Sequence, residues 1–109
     1  MEYDVRITVQ AQEHLRKIRD YIAIELSSPD TAKKMLVLLQ TEMASLAQMP
    51  NRVRLVEEEP WREKGIHVKA VKNYLIYFWI SDEAHLVQII AVIYAKRNQV
   101  KALSSLDLQ

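Results

Sequence analysis

The sequence predicts an α+β fold, in which an N-terminal strand and an antiparallel helical hairpin precede a mainly antiparallel sheet of three to four further strands. Residues 3–9 alternate apolar and polar side chains, which is the pattern of a half-buried strand. Residues 11–26 and 32–47 each carry one apolar stripe at spacings of three and four, which is typical of amphipathic helices. Residues 66–94 hold β-branched and aromatic runs separated by short turns. We therefore expect the hairpin to cover one face of the sheet and the other face to be open for function.

Two helices joined by a short linker follow the first strand. The first helix is expected to run to about Leu26. Ser28 is expected to cap the second helix, and Pro29 suits its first position, where a missing N–H costs nothing. This helix is expected to end at Met49-Pro50, because proline disfavours helical backbone at the residue before it. So short a linker predicts antiparallel packing.

The second half of the chain predicts the remaining strands. Residues 52–56 are a short strand candidate, and residues 66–71 alternate apolar and polar side chains. Lys72-Asn73 fits a two-residue hairpin turn, in which Asn73 suits the positive φ that such turns demand. Residues 74–80 then predict an aromatic, β-branched strand.

The last predicted strand is the most apolar segment of the chain. Residues 86–94 are nearly continuous apolar sequence, as expected for a central strand covered on both faces. Beyond it, Val100, Leu103 and Leu106 recur at a spacing of three, which indicates a short terminal helix.

Composition excludes several classes of function. The 109 residues predict one domain spanning residues 1–109, and half of them are apolar, which is enough for a core. The chain has no cysteine and one glycine, which argues against thiolate metal sites, disulfides and glycine-rich phosphate loops. Neither a signal peptide nor a run of about 18 apolar residues is present, so the expected compartment is the cytoplasm.

The net charge is only +1, but its distribution is uneven. Residues 1–60 hold eight basic and ten acidic side chains, whereas residues 61–109 hold seven and four. The basic residues of the second half fall mainly within residues 62–72 and 96–101, and clustered cations can form a local site for an anion. The alternative is an ordinary solvated face.

Three segments carry a family resemblance that extends over nearly the whole chain. SPDTAKKMLVLLQTEMASLAQMPN leads the second helix to a proline, VKNYLIYFWI forms the hairpin, and VQIIAVIYAKRN ends in an aromatic-x-Lys-Arg pattern. Together with the β-α-α-β-β-β order, these segments resemble the RelE/ParE superfamily of toxins from bacterial type II toxin–antitoxin pairs. The resemblance implies a small cytoplasmic toxin that a cognate antitoxin neutralises in a heteromeric complex, without a cofactor.

The superfamily implies two alternative targets. RelE-like members cleave messenger RNA on the ribosome, whereas ParE-like members bind DNA gyrase. Cleavage by the 2′-OH needs a base, a cation for the developing phosphate charge and an acid for the leaving oxygen. A third alternative is a non-toxic interaction module of the same fold.

The residues that would serve a nuclease lie in two places. His67 and Lys69 are two residues apart and so share one strand face. Tyr94, Lys96 and Arg97 stand at the end of the predicted central strand. Arg97 matches the family's terminal arginine and would clamp a phosphate, since its charge is permanent and its donors are forked. His67 is a candidate for proton transfer, a role in which histidine is common, and the alternative is a surface strand histidine.

Departures from the nuclease pattern favour the ParE-like branch. Leu75 follows Tyr74 where RelE-type nucleases place a catalytic arginine, and the tail around Leu103 lacks their tyrosine. His67 also stands where many relatives carry an arginine, and Tyr94 stands where some nuclease members place a histidine. No histidine pair has the spacing of a metal site. The candidates for binding the target or antitoxin are aromatic or basic: Trp61, Arg62, Lys64, Lys72, Tyr74, Tyr77, Trp79 and Lys101.

Overall fold

The computed structural model describes residues 2–96 and 99–106, and of Gln99 only the backbone. Its strands are β1 (Asp4–Ile7), β2 (Ile66–Val71), β3 (Tyr74–Ser81) and β4 (Leu86–Tyr94). They form one sheet in the order β1-β4-β3-β2, in which β2, β3 and β4 pair antiparallel and β1 pairs parallel to β4. The predicted α+β class and the central position of β4 are confirmed.

The helical hairpin is α1 (Val9–Asp20) and α2 (Pro29–Ala44). A π-helical turn at Tyr21–Glu25 extends α1 almost to the predicted end. Thr8 caps α1, because its hydroxyl accepts the Ala11 N–H at 3.2 Å and donates to the Ile89 carbonyl at 2.8 Å.

Ser28 occupies the predicted cap position of α2 but does not cap it with its side chain. Its hydroxyl donates to the Leu26 carbonyl at 3.0 Å, which closes the linker instead. The linker also places Ser27 at φ 52, in the left-handed region.

Two details of the predicted second half are wrong. Residues 52–56 form no regular strand, because they follow a 3-10 turn at Pro50–Arg52 and pair with β2 only around one isolated bridge between Leu55 and His67. The hydrogen bonds of this bridge run from the Val56 N–H to the Ile66 carbonyl at 2.9 Å and from the Val68 N–H to the Arg54 carbonyl at 3.1 Å. The turn between β2 and β3 is where expected, but Lys72, at φ 55, takes the positive φ that was assigned to Asn73.

One face of the sheet packs against the hairpin. Val5 and Ile7 of β1 are partly buried against this core. Its buried side chains are apolar and come from α1, α2, the 3-10 turn Ser45–Ala47 and strands β2, β3 and β4: Ala11, Leu15, Leu39, Met43, Leu46, Val71, Tyr74, Ile76, Phe78, Val87, Ile89 and Val92. Burial of this area is the main force that holds the hairpin on the sheet.

The second face is not open over its whole area, which corrects the expectation. A second core lies there, made of apolar side chains from the sheet, the loop before β2 and the terminal helix α3 (Gln99–Ser104): Val56, Trp61, Ile66, Val68, Tyr77, Ile90, Ala91, Ile93, Ala102 and Leu103. The strand β4 is therefore covered on both faces, as its continuous apolar sequence predicts. Within the described part of the chain, no helix is both long and apolar enough to cross a lipid bilayer.

A hydrogen-bonded cluster joins the start of β1 to the β3–β4 turn. The Tyr3 hydroxyl donates to Asp82 Oδ1 at 2.6 Å, and Asn51 Nδ2 donates to the same oxygen at 3.0 Å. These two hydrogen bonds hold the pKa of Asp82 below its usual range, with smaller contributions from the nearby His85 and His67.

We expect Asp82→Asn to destabilise the protein at neutral pH and to matter less in acid. A carboxyl group with a lowered pKa in the folded state stabilises the fold above its unfolded pKa of about 3.9, and this contribution is lost as the pH falls through the folded value. The difference in urea midpoint between wild type and variant should therefore shrink below about pH 4. Glu83→Gln, in the same turn, is the control. A pH-independent difference for Asp82→Asn would contradict the expectation.

Candidate functional site: a tyrosine-lined groove

A groove of about 560 Å³ opens between the end of α1, the start of α2, the start of β3 and the end of β4. We call it the tyrosine groove. Its lining is mostly apolar and aromatic: His14, Lys17, Ile18, Tyr21, Ile22, Leu26, Thr31, Met35, Asn73, Tyr74, Val92 and Tyr94. Its volume and lining are typical of a binding site.

Side chains of α1 hydrogen-bond the backbone edge of β4 beside the groove, where β4 has no neighbouring strand on that side. The partner strand β1 ends at Ile7, so β4 continues beyond it with a free edge. Gln10 Nε2 donates to the Ile90 carbonyl at 2.8 Å, and His14 Nδ1 accepts the Val92 N–H at 3.1 Å. These bonds satisfy edge groups and fix α1 against β4.

Three tyrosines meet at the groove. The rings of Tyr74 and Tyr94 lie edge to face with centroids 5.8 Å apart. Burial raises the pKa of Tyr74, and the neighbouring Tyr94 and Tyr21 raise it further, so this hydroxyl stays protonated. Lys17 and His14 are the other ionisable groups of the lining, and no described carboxylate lines it. The groove therefore offers apolar surface, hydrogen-bond donors and the positive charge of Lys17.

The predicted nuclease residues are distributed over two regions. Tyr94 lies in the groove, and the exposed Lys96 is two residues further along the chain. Arg97 lies outside the described residues. His67 and Lys69 do share a face of β2, but this face points toward the hairpin.

Both residues on β2 already have partners there. His67 Nδ1 lies 2.7 Å from the Val53 carbonyl, and its ring stacks on Phe78 with centroids 5.2 Å apart. Lys69 Nζ lies 3.7 Å from Glu42 Oε1 of α2. Each contact uses a group that a nuclease would direct at RNA.

The aromatic residues among the binding candidates differ in how much of their surface is exposed. Trp61 and Tyr77 lie in the second core, with 8% and 2% of their surface exposed, and burial raises the pKa of Tyr77 to about 12. Tyr74 is also buried, at the groove. Trp79 is 39% exposed and lies on the second face of the sheet.

The candidate basic residues are exposed and spread over the surface. Lys72 lies in the β2–β3 turn, Lys64 immediately before Gly65, and Lys101 on α3. Arg62 Nη1 donates to the Val56 carbonyl at 3.2 Å, which ties it to the loop before β2. They do not converge on one place.

Sequence reasoning missed most of the groove. His14, Lys17 and Tyr21 line it from successive turns of one helical stretch, so their spacing was the available signal. Leu26 and Met35 were assigned to the apolar stripes, and nothing in the local pattern distinguishes a groove position from a core position.

Solved structures share this arrangement of one sheet and a helical hairpin. The chromosomal ParDE system of P. aeruginosa matches with a TM-score of 0.72 and 18% identity over 87% of this chain and 98% of that one. The RelBE2 toxin–antitoxin complex of Mycobacterium tuberculosis gives 0.59 and 24% over 86% and 99%. A mutant of E. coli RelE in the free state gives 0.60 and 16% over 94% and 93%. The fold is therefore that of the RelE/ParE superfamily of toxins.

A family model matches most of the chain. The model described as the ParE toxin of the type II toxin-antitoxin system parDE matches residues 5–99. The chain belongs to this family of toxins. No curated protein matches the sequence.

Proposed function

We propose that this toxin arrests growth by binding an essential protein, with DNA gyrase as the target, and not by cutting RNA. The observation that carries the proposal is the separation of the candidate catalytic groups. His67 pairs with Phe78 in the sheet, whereas Tyr94 pairs with Tyr74, four residues away along β3. Four residues of strand span about 13 Å, so base and acid do not meet at one phosphate.

The partners of the two β2 residues support the same conclusion. A nuclease needs free donors aimed at a phosphate, but Lys69 faces Glu42 and His67 faces the Val53 carbonyl. Leu75 also supplies no charge at the position where the nuclease branch has an arginine. A binding toxin requires none of these groups.

The tyrosine groove is the proposed docking surface for the cognate antitoxin. An amphipathic helix can place apolar side chains in such a groove, and an acidic residue on its flank would pair with Lys17. At the tip of the hairpin, Tyr21 and Leu26 are more than half exposed beside the groove, which leaves apolar surface for a partner to cover.

Induction of the chain alone in bacteria tests the target. We expect growth arrest, activation of a DNA-damage reporter and intact transcripts by primer extension, together with inhibition of supercoiling by purified gyrase. The double variant His67→Ala/Lys69→Ala should retain this activity if it folds. Codon-linked cuts in transcripts would overturn the proposal in favour of the RelE-like nuclease, and normal growth would favour a non-toxic module.

A further inference from the structure

One end of the second sheet face is free of the second core. Arg6, Gln88 and Trp79 lie side by side there on β1, β4 and β3, because Arg6 is in register with Gln88 and Gln88 with Trp79. We call them the Arg6–Gln88–Trp79 row. The residues that flank each member along its strand pack into the hairpin core, so all three side chains point to the opposite face.

The row presents an aromatic ring beside polar groups. Neighbouring strands are about 4.8 Å apart, so the row spans roughly 10 Å of nearly flat surface. Trp79 is 39% exposed, and its indole lies next to Gly65, where an added Cβ would come within 3.7 Å of Nε1. The Arg6 guanidinium makes no ion pair or side-chain hydrogen bond within residues 2–96 and 99–106.

We propose that this row binds one base and its phosphate in single-stranded nucleic acid. The base stacks on Trp79, Gln88 hydrogen-bonds the base edge, and Arg6 holds the phosphate. Exposed aromatic side chains on sheet surfaces stack bases in this way, and an arginine is well suited to phosphate.

The surroundings favour a nucleotide over a protein partner. A protein hot spot lies in a pocket ringed by contacts that exclude water. Trp79 borders the second core at Ile66 of β2, but on the side toward Arg6 it has the polar Gln88 beside it, and Ser81 lies two residues along the same face. Lys64, which precedes Gly65 in the chain, is exposed. Asp4 lies two residues before Arg6 on the same face of β1, and its negative charge would repel a phosphate from that position.

This site is separate from the proposed function. It lies on the opposite face from His67 and Lys69, and at the other end of the sheet from the tyrosine groove. Gyrase binding and nucleotide binding can therefore fail independently.

Fluorescence anisotropy with labelled oligouridylate and oligothymidylate tests the proposal. We expect Trp79→Ala to weaken binding about 5- to 150-fold, which corresponds to stacking of one base, while Trp79→Phe retains most of the affinity. Arg6→Ala should reduce the slope of log affinity against log salt by about 0.7, the value for one phosphate of a single strand. Arg19→Ala, which removes an equal charge from α1, is the matched control.

An abasic oligonucleotide separates stacking from charge. It should bind wild type and Trp79→Ala equally, because it offers phosphates without bases. Preference for the RNA or the DNA oligomer identifies the natural strand, and either supports the proposal. Equal affinity of wild type and Trp79→Ala for oligomers with bases would overturn it, as would the absence of saturable binding up to about 1 mM, above the usual nonspecific range.

Discussion

Phe78→Ala is expected to lower the free energy of unfolding by about 3–5 kcal/mol. The Phe78 side chain is completely buried on β3, where it packs under the hairpin and stacks on the His67 ring. Its removal leaves a cavity that the rigid sheet cannot close, so both apolar burial and packing are lost. Small domains are stable by only about 5–15 kcal/mol, and urea denaturation should show a large fall in midpoint.

Two further variants make this expectation testable. Val37→Ala removes an apolar side chain from the exposed surface of α2 and should change stability by less than about 0.5 kcal/mol. Phe78→Leu retains much of the volume and should fall between wild type and Phe78→Ala, which keeps the series informative if the alanine variant does not fold. A loss for Phe78→Ala no larger than that for Val37→Ala would contradict the described core.

Leu26→Glu is expected to weaken binding of the cognate antitoxin about 10- to 100-fold, or roughly 1.4–2.8 kcal/mol. Leu26 lines the tyrosine groove while 54% of its surface is exposed, so the substitution alters the docking surface and not the core. A carboxylate buried there by the antitoxin would lose its hydration without a fixed partner. Isothermal titration of the purified toxin with the antitoxin measures the change.

Ile24→Glu is the matched control for this substitution. Ile24 lies in the π-helical turn Tyr21–Glu25, which Leu26 directly follows, and it is 70% exposed but does not line the groove. Its variant should bind the antitoxin like wild type. If both variants lose affinity equally, the partner covers the whole hairpin tip. If neither does, the antitoxin docks elsewhere.

The order of the elements was predictable because each depends on neighbouring residues. Apolar spacing marked both helices, and Pro29 marked the start of α2. The predicted end at Met49-Pro50 was too late, because α2 ends at Ala44 and a 3-10 turn at Ser45–Ala47 follows it. The continuous apolar run of β4 predicted a strand covered on both faces, which it is. The turn at Lys72-Asn73 was located correctly, but the residue with positive φ was not, because both turn positions are next to strands of similar character.

The composition of the surfaces was not predictable in the same way. Trp61 and Trp79 are both tryptophans in the second half of the chain, yet one is buried in the second core and the other is exposed. The difference arises because α3 and the loop before β2 cover only part of the second face. Residues 52–56 carry a strand-like pattern, but only residues 54–56 pair with the edge of β2, around a single bridge at Leu55.

The sequence by itself determined the β-α-α-β-β-β order, the hairpin and the central strand, because periodicity and turn chemistry act over a few residues. The superfamily was indicated by the resemblance of three segments to its members. Only the tertiary structure decided that His14 accepts the Val92 N–H at the edge of β4, that His67 faces the Val53 carbonyl and Lys69 faces Glu42, and that Arg6 lies in one row with Trp79. These contacts link residues 14 to 78 positions apart. They depend on which faces the packed layers cover, and no local pattern carries that information.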